Sequence, residues 1–356
     1  MMDDRPALEV RSDLVDVPAY VSPQHPARFR MNTNESPYPP PAELVEEVAA
    51  EIRTIALNRY PDRDATRLYK AISEHAGWPV DGLWVANGSN EVFLHLFLGF
   101  GGAERSVLVF EPTYSMHSLI PKIATTRVIA GGRDTKLHID LESALQTIEQ
   151  EHPDIVIVCS PNNPTGDCES VSTIEALLAA APGLVVVDEA YGEFAEPGDS
   201  CIPLLARHPN LVVTKTFSKA WRLAGVRIGY MLADPGLIAE LARVRLPYQL
   251  SALTQVIGEA AIRHSKETLE LVGALVKERD RCSEGLDRLN LNVYPSKANF
   301  VLFEVPDAQQ TWSALLERDV LIRNYSDTPG LENCLRVTAG LPEETDAFLS
   351  AMGAVL

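Results

Sequence analysis

The sequence has little of what marks secreted, membrane-spanning or cysteine-dependent proteins. Its 356 residues include 5 cysteines, widely scattered and without a C-x-x-C pair, so we expect reduced packing residues and neither a disulfide framework nor a metal site. No apolar run approaches the roughly 18 residues needed to cross a bilayer, and the first residues lack the basic and apolar regions of a signal peptide. These absences predict a cytoplasmic protein that does not enter membranes.

Several catalytic and nucleotide-binding motifs are also missing. The buried run that ends in Asp188 and Glu189 would suit a magnesium site in a nucleotide hydrolase, but the phosphate loop G-x-x-x-x-G-K-[ST] is absent. The motifs G-x-G-x-x-G, H-E-x-x-H and G-x-S-x-G are absent as well, which argues against nicotinamide, zinc-peptidase and serine-hydrolase chemistry. A formal net charge of −18 repels nucleic acid, so any bound anion requires a local cluster of donors.

Short apolar runs alternate with amphipathic segments over about residues 83–244. Several of the runs are continuous Val/Ile/Leu stretches, which is typical of strands covered by helices on both faces. The pattern predicts an α/β fold with a mostly parallel, doubly wound sheet. The predicted strands are "LWVA", "SVLVF", "TRVIA", "DIVIVCS", "LVVVDEA", "LVVTKT" and "VRIGYML".

The pattern changes after about Pro247, where a long helical stretch is predicted through Glu278, followed by a mixture of strands and helices and a closing helix from Pro342. The proline-rich start cannot form a continuous regular element and is interpreted as an arm. We therefore predict an N-terminal arm at residues 1–45 that joins the small domain, a large domain at 46–250 and a small α+β domain at 251–356.

Polar residues follow the predicted strands in a pattern that suggests one chemistry. Taken alone, each has an ordinary interpretation: Lys219 as an exposed turn lysine, Asp188 as a helix cap and Asn163 as part of a turn. Together with Tyr191 and Arg227 they supply an amine, a carboxylate, an amide, a phenol and a guanidinium. Pyridoxal phosphate needs such a set, since its aldehyde takes a lysine, its ring nitrogen a carboxylate and its phosphate an anion pocket.

The motifs in this order resemble the class II pyridoxal-phosphate-dependent aminotransferases of fold type I, and among these the histidinol-phosphate aminotransferases. The resemblance runs from about residue 20 to the C-terminus. It rests on "MNTNESPYPP", "LNRYPDRDA", "ANGSNE", "PTYSMH", "SPNNPTG", "VVVDEAYGEF", "TFSKAWRLAGVRIGY", "RLPYQLSALTQ", "SKANFVLF", "VLIRN" and "CLRVTAGLPEE".

The resemblance implies roles for the residues nearest the cofactor ring. Lys219 would bind the cofactor covalently and move the proton during catalysis, and Asp188 would pair with the ring nitrogen. Tyr191 and Asn163 would donate to the ring's phenolate oxygen, and Tyr114 would stack on the ring.

The resemblance also implies a phosphate pocket and a dimer. Ser89 and Asn90 would begin a helix whose free N–H groups hold the phosphate, with help from Ser218 and Arg227. Tyr60 would reach the same pocket from the partner subunit, so that the active site requires a homodimer.

The remaining assignments concern the substrates. Arg336 and Arg323, with Tyr20 and Asn34, would receive histidinol phosphate, and the same arginines would hold glutamate or 2-oxoglutarate in the other half-reaction of a ping-pong cycle. The implied function is conversion of histidinol phosphate and 2-oxoglutarate to imidazole-acetol phosphate and glutamate in histidine biosynthesis. His117 lies near Tyr114, where contact with the substrate is one alternative, but it is interpreted as a packing or surface residue.

Three alternatives remain open at this point. An aromatic amino acid aminotransferase would keep every cofactor residue, because an imidazole and a phenyl ring are similar in size. A phosphothreonine decarboxylase of the same fold would release carbon dioxide without a keto-acid acceptor. A non-catalytic regulator would normally carry a DNA-binding extension, whereas this chain has no spare domain and no basic patch.

Overall fold

A computed structural model describes residues 9–15, 17, 19 and 25–356 of the protein. All seven predicted runs form strands. In chain order the strands are β1 (Phe29–Arg30), β2 (Leu83–Ala86), β3 (Ser106–Phe110), β4 (Arg127–Gly131), β5 (Ile155–Cys159), β6 (Leu184–Asp188), β7 (Leu211–Thr216), β8 (Gly229–Leu232), β9 (Phe300–Glu304), β10 (Val320–Leu321), β11 (Arg323–Asn324) and β12 (Cys334–Thr338).

The large sheet confirms the predicted fold class. Across the described residues it has seven strands in the order β2-β8-β7-β6-β5-β3-β4, and β8 runs antiparallel to both of its neighbours while the other pairs are parallel. The central strands are buried along their whole length, because the helices cover both faces. The run "VRIGYML" becomes a strand only at Gly229, since Arg227 adopts a left-handed turn conformation with φ 59°.

The helices occupy the segments between the strands and most of the C-terminal part. They are α1 (Ala42–Ile52), α2 (Thr66–Ala76), α3 (Ser89–Phe100), α4 (Met116–Ile123), α5 (Leu141–Glu151), α6 (Val171–Ala180), α7 (Pro235–Leu241), α8 (Ala252–Arg263), α9 (Ser265–Leu269), α10 (Val272–Arg288), α11 (Ala308–Leu316) and α12 (Pro342–Val355). Of those in the described ranges, none combines the length and apolar character of a membrane span.

The C-terminal helices differ in part from the prediction. The single long helix expected through Glu278 is instead α8, α9 and α10, because His264 leaves helical geometry and its ring contacts Glu47 at 2.6 Å. The last of them continues to Arg288, since Cys282 and Leu286 keep a buried apolar face in register beyond Glu278. The closing helix begins at Pro342 as predicted.

The smaller part of the molecule is a three-stranded antiparallel sheet, β11-β12-β9, packed against α10, α11 and α12. Its core includes Phe303 and Phe348, whose ring centroids are 6.0 Å apart. Residues 29–31 join this part, because β1 pairs in parallel with β10 and Met31 is buried in the same core. The earlier residue Arg11 instead contacts α4, since its Nη2 donates to the Ile123 carbonyl at 3.0 Å. The domain boundaries at residues 45 and 250 stay a prediction.

Strand alternation determines which polar side chains share a face of the large sheet. In β6, Val185 and Val187 pack on one face and Val186 on the other, so Asp188 shares the face of Val186. In the neighbouring strand β7, Thr214 hydrogen-bonds Asp188. The carboxyl ends of β5, β6 and β7 therefore bring polar side chains to one edge of the sheet, where parallel α/β sheets place their ligands.

Candidate active site

A cleft of about 680 Å³ lies at this edge, between the large sheet and the smaller antiparallel sheet. It brings together residues that are far apart in the sequence. The predicted site residues that line it are Asn34, Ser89, Asn90, Tyr114, Asn163, Asp188, Tyr191, Ser218, Lys219, Arg227, Arg323 and Arg336.

Asp188 is held at the end of β6 by three neighbours. Its Oδ1 accepts hydrogen bonds from the Thr214 hydroxyl at 2.9 Å and the Ala190 backbone N–H at 3.2 Å, and its Oδ2 lies 3.0 Å from Nε2 of His117. The residue is 2% exposed. These contacts fix the orientation of a buried carboxylate that faces the cleft.

His117 was only partly described by the sequence interpretation. The ring is buried, as a packing role implies, but it also contacts the Asp188 carboxylate, and the prediction missed that contact. His117 lies on α4, between the rings of Phe93 and Tyr114 at centroid distances of 4.9 and 5.4 Å. Tyr114 lies just before α4, and the backbone N–H of His117 donates to its carbonyl at 2.9 Å. The nearness of His117 to Tyr114 in the sequence was the available signal.

Tyr191 is the centre of an amide and phenol network. Its hydroxyl accepts hydrogen bonds from Nδ2 of Asn34 at 2.9 Å and Nδ2 of Asn163 at 3.3 Å. Burial raises the pKa of Tyr191 well above its usual range, so the phenol keeps its proton at neutral pH and can donate it to an acceptor in the cleft. Asn34, predicted to bind substrate, therefore also contacts Tyr191, which is predicted to bind the cofactor.

Lys219 lies three residues after β7 and has its amine in the cleft. Its Nζ donates to the backbone carbonyl of Thr33 at 3.0 Å. Burial, followed by the positive charges of Arg336 and Arg227, lowers the pKa of Lys219 to about 8, while Glu35 acts in the opposite direction. A substantial fraction of the amine is therefore neutral near physiological pH, which a nucleophile and a proton acceptor require.

Lys215 occupies a different environment although it is only four residues earlier. It points to the opposite face of β7, where its Nζ lies 3.4 Å from carboxylate oxygens of both Glu189 and Glu193. Those charges raise the pKa of Lys215 and outweigh its burial. Lys215 is thus a charged structural residue and Lys219 is the lysine suited to chemistry.

The N-terminus of α3 forms an anion cradle. Gly88 has φ 90°, and a Cβ there would lie 2.5 Å from Nη2 of Arg227. Gly229 is equally constrained, because a Cβ would lie 2.2 Å from the backbone nitrogen of Ser89. Within the described residues, the backbone N–H groups of Ser89 and Asn90 donate to no protein group, as expected for the first turn of a helix.

Two hydroxyls and a guanidinium complete the cradle. Nη1 of Arg227 lies 3.4 Å from the Ser218 hydroxyl, which in turn accepts from the Thr216 hydroxyl at 3.0 Å. Thr216 lines the cleft and was not predicted, although its position two residues after Thr214 puts it on the same strand face. The glycine cradle, the buried carboxylate and the shielded amine fit pyridoxal phosphate.

Arg336 lies at the far side of the cleft and is 5% exposed. Its Nη1 donates to Oδ1 of Asn163, and its Nη2 donates to the Asn32 carbonyl at 2.8 Å. Its guanidinium lies over the Phe300 ring, 5.0 Å from the centroid. Arg323 is its cross-strand partner in the antiparallel pair β11-β12, so both predicted substrate arginines are on one sheet.

The structure places one other predicted residue away from this cleft and does not describe another. Tyr60 is 80% exposed and stacks on Tyr248, with the ring centroids 4.4 Å apart. Tyr60 is not among the residues that line the cleft of its own chain. Tyr20 lies outside the described residues. Tyr114 lines the cleft, and its hydroxyl donates to Oδ1 of Asn90 at 3.3 Å.

Among the described residues, potential metal ligands form one group, in which ligand atoms of His117, Cys159 and Asp188 lie within 4.8 Å of one another beside the cleft. Burial raises the pKa of Cys159 well above its usual range, so the thiol stays protonated. The Asp188 carboxylate of this group is already in contact with Thr214, Ala190 and His117.

Comparisons with known proteins agree with this geometry. The family model "Aminotransferase class I and II" matches residues 28–351. The chain is 47% identical over 354 residues to the histidinol-phosphate aminotransferase of Corynebacterium diphtheriae, with 97% of this chain and 95% of that protein covered. It is 43% identical over 357 residues to the protein of the same name from Thermobifida fusca, with 99% and 95% covered.

A solved structure shows the same fold. The crystal structure of histidinol-phosphate aminotransferase from Sinorhizobium meliloti, in complex with pyridoxal-5'-phosphate, superposes with a TM-score of 0.89 at 23% identity and covers 98% of both chains. This likeness confirms the fold-type I architecture. On the family model and the sequence relatives, the chain belongs to the class I and II aminotransferases and, among them, to the histidinol-phosphate aminotransferases.

Proposed function

We propose that this protein transfers an amino group from histidinol phosphate to 2-oxoglutarate, with pyridoxal phosphate as cofactor. The products are imidazole-acetol phosphate and glutamate, and the reaction belongs to histidine biosynthesis. The observation that carries the proposal is a lysine with a lowered pKa in a cleft that has a buried carboxylate and an anion cradle on one side and two arginines on the other. Family membership confirms the enzyme class.

The cofactor, when bound, supplies an aldehyde that takes up the amino group and a ring that accepts electrons from the substrate carbon. The chain supplies the rest. Lys219 would take the proton from the substrate carbon that bears the amine and give it back on the cofactor side, because its lowered pKa leaves part of the amine neutral and able to act as a base.

Asp188 and Tyr191 control the charge around the ring. The Asp188 carboxylate, held by Thr214 and His117, would accept a hydrogen bond from a protonated ring nitrogen and stabilise its positive charge. The phenol of Tyr191, kept protonated by its raised pKa, is placed to donate to the ring oxygen. Asn163 connects this group to the substrate side, since it contacts both Tyr191 and Arg336.

Arg336 and Arg323 suit anionic substrates. Two guanidinium groups on adjacent strands can receive either a phosphate monoester or the second carboxylate of a dicarboxylate. One site then serves both half-reactions in turn.

A single-turnover titration of the cofactor-loaded protein tests this function. Histidinol phosphate and, separately, phenylalanine are added while conversion of the visible cofactor band is followed. We expect conversion by histidinol phosphate at far lower concentration. Preference for phenylalanine would instead make the protein an aromatic amino acid aminotransferase, and carbon dioxide release without a keto acid would make it a decarboxylase.

The lowered pKa of Lys219 predicts a pH dependence of cofactor uptake. Only the neutral amine attacks an aldehyde, so the rate at which cofactor-free protein takes up pyridoxal phosphate should rise with pH through about 8 and level off above it. An ordinary lysine would keep gaining rate up to about pH 10.4. Stopped-flow absorbance measures the rate. Arg336→Gln removes one of the charges that lower the pKa, so its midpoint should move to higher pH.

We further propose that the protein works as a homodimer with shared active sites. Tyr60 and Tyr248 stack on one another at the surface, and the loops that carry them also expose Leu57 and Leu246. Exposed apolar groups of this size are typical of an interface. In such a dimer, the exposed Tyr60 hydroxyl would donate a hydrogen bond to the cofactor phosphate in the partner's cradle.

Tyr60→Phe tests the shared site. Loss of one hydrogen bond to a charged phosphate should weaken cofactor binding by about tenfold or more while the dimer remains. Absorbance titration measures the affinity, and sedimentation measures the mass. Tyr248→Phe is the matched control, because it keeps the stacked pair and removes only the neighbouring hydroxyl. Wild-type affinity in Tyr60→Phe would argue against the contact.

A further inference from the structure

Two arginines face each other across the smaller sheet. Arg323 of β11 is in register with Arg336 of β12 in an antiparallel pair. Like charges directly opposite one another on adjacent strands are destabilising, so this arrangement needs a compensating group. Both side chains line the cleft, where an anion can provide that compensation.

Tyr325 lies beside both guanidinium groups. It directly follows β11, and its backbone N–H donates to the Cys334 carbonyl at 3.1 Å, which continues the pairing with β12 and keeps its side chain on the face of Arg323. Nη1 of Arg336 donates to the Tyr325 hydroxyl at 2.8 Å. The ring centroid is 5.5 Å from Cζ of Arg336 and 5.9 Å from Cζ of Arg323, within the range of cation–π attraction.

The hydroxyl of Tyr325 retains a proton to donate. It acts as an acceptor toward Arg336, and no acceptor for its own O–H occurs among residues 25–356 or the few earlier residues that are described. Tyr325 also lines the cleft. A phenol in this position can bind a ligand oxygen while it is itself oriented by a cation.

We propose that Tyr325 is a specificity-determining residue that donates a hydrogen bond to the phosphate group of the amine substrate. This inference rests on the proposed function. A phosphate monoester has enough acceptor oxygens to take hydrogen bonds from Arg323, Arg336 and Tyr325 together. An uncharged end group leaves the two guanidinium groups without a counter-charge.

Tyr325→Phe tests the contact, because it keeps the ring beside both arginines and removes only the O–H. Steady-state kinetics are measured for histidinol phosphate and for histidinol, which lacks the phosphate. We expect kcat/KM for histidinol phosphate to fall by at least about tenfold, chiefly through KM, with little change for histidinol. The visible cofactor band should be unchanged.

Tyr294→Phe is the matched control. Its phenol packs against the same small apolar cluster but bonds to Glu304 and lies outside the cleft, so both substrates should react as with wild type. An equal loss for histidinol and histidinol phosphate in Tyr325→Phe would overturn the inference, and so would no loss for either.

Inorganic phosphate separates failure of this inference from failure of the proposed function. If the wild type does not use histidinol phosphate, the proposed function fails. Inorganic phosphate can then be tested as an inhibitor of the reaction with another amine donor that the protein does use. The strength of this inhibition measures phosphate binding at the arginine pair. Inhibition at least about tenfold weaker in Tyr325→Phe than in wild type would support the contact with Tyr325. Equal inhibition of the two proteins would overturn it.

Discussion

Lys219→Ala should lower the rate of amino-group transfer by at least about a thousandfold and remove the visible absorption band of the bound cofactor. The substitution takes away the amine that binds the aldehyde and also the base that moves the substrate proton. Of the described residues that line the cleft, Lys219 is the lysine just beyond β7, and burial lowers the pKa of its amine. Single-turnover absorbance measures both effects on one sample.

The folded structure should survive this substitution. The Lys219 side chain makes one hydrogen bond, to the Thr33 carbonyl, and the lowered pKa of its amine means that the site disfavours its charge. The melting temperature should therefore be close to that of wild type. Lys122→Ala is the matched control, because Lys122 lines the same cleft from α4 and should leave the visible band in place. A band that persists in Lys219→Ala would contradict the assignment.

The fold and much of the site could be predicted because their signals are local. Continuous Val/Ile/Leu runs identify strands covered on both faces, and the carboxyl ends of parallel strands share one edge of a sheet. Asp188 directly follows such a run and Lys219 lies just beyond another. Recognition of the family motifs then supplied the roles that periodicity alone leaves open.

Other features could not be predicted, because they depend on strand order and turn geometry. The contact of His117 with Asp188 joins residues 71 positions apart and forms only because β5 lies between β3 and β6 in the sheet. Tyr325 becomes a neighbour of Arg336 only through the pairing of β11 with β12. The break at His264 likewise depends on a contact with Glu47, which is distant in the sequence.

Asp188→Asn should lower kcat by about a hundredfold or more while the protein still binds its cofactor. The amide has nearly the same shape, but it lacks the negative charge that stabilises a protonated ring nitrogen. The hydroxyl of Thr214 and the ring of His117 would still contact the side chain. Lys219 and the phosphate cradle would still hold the cofactor, so the visible band should remain with an altered shape.

Glu189→Gln is the matched control for Asp188→Asn. Glu189 is the next residue and is 1% exposed, yet it lies with Lys215 on the opposite side of the sheet, where it also accepts from Ser200. Glu193 remains to pair with Lys215, so this substitution should lower the free energy of unfolding by up to about 3 kcal/mol and leave kcat within a few-fold of wild type. The two variants should therefore separate activity from stability. Wild-type kcat in Asp188→Asn would contradict a catalytic role for the Asp188 charge. An equal loss of activity in folded Glu189→Gln would also contradict it, because the effect would then not be specific to the carboxylate at the end of β6.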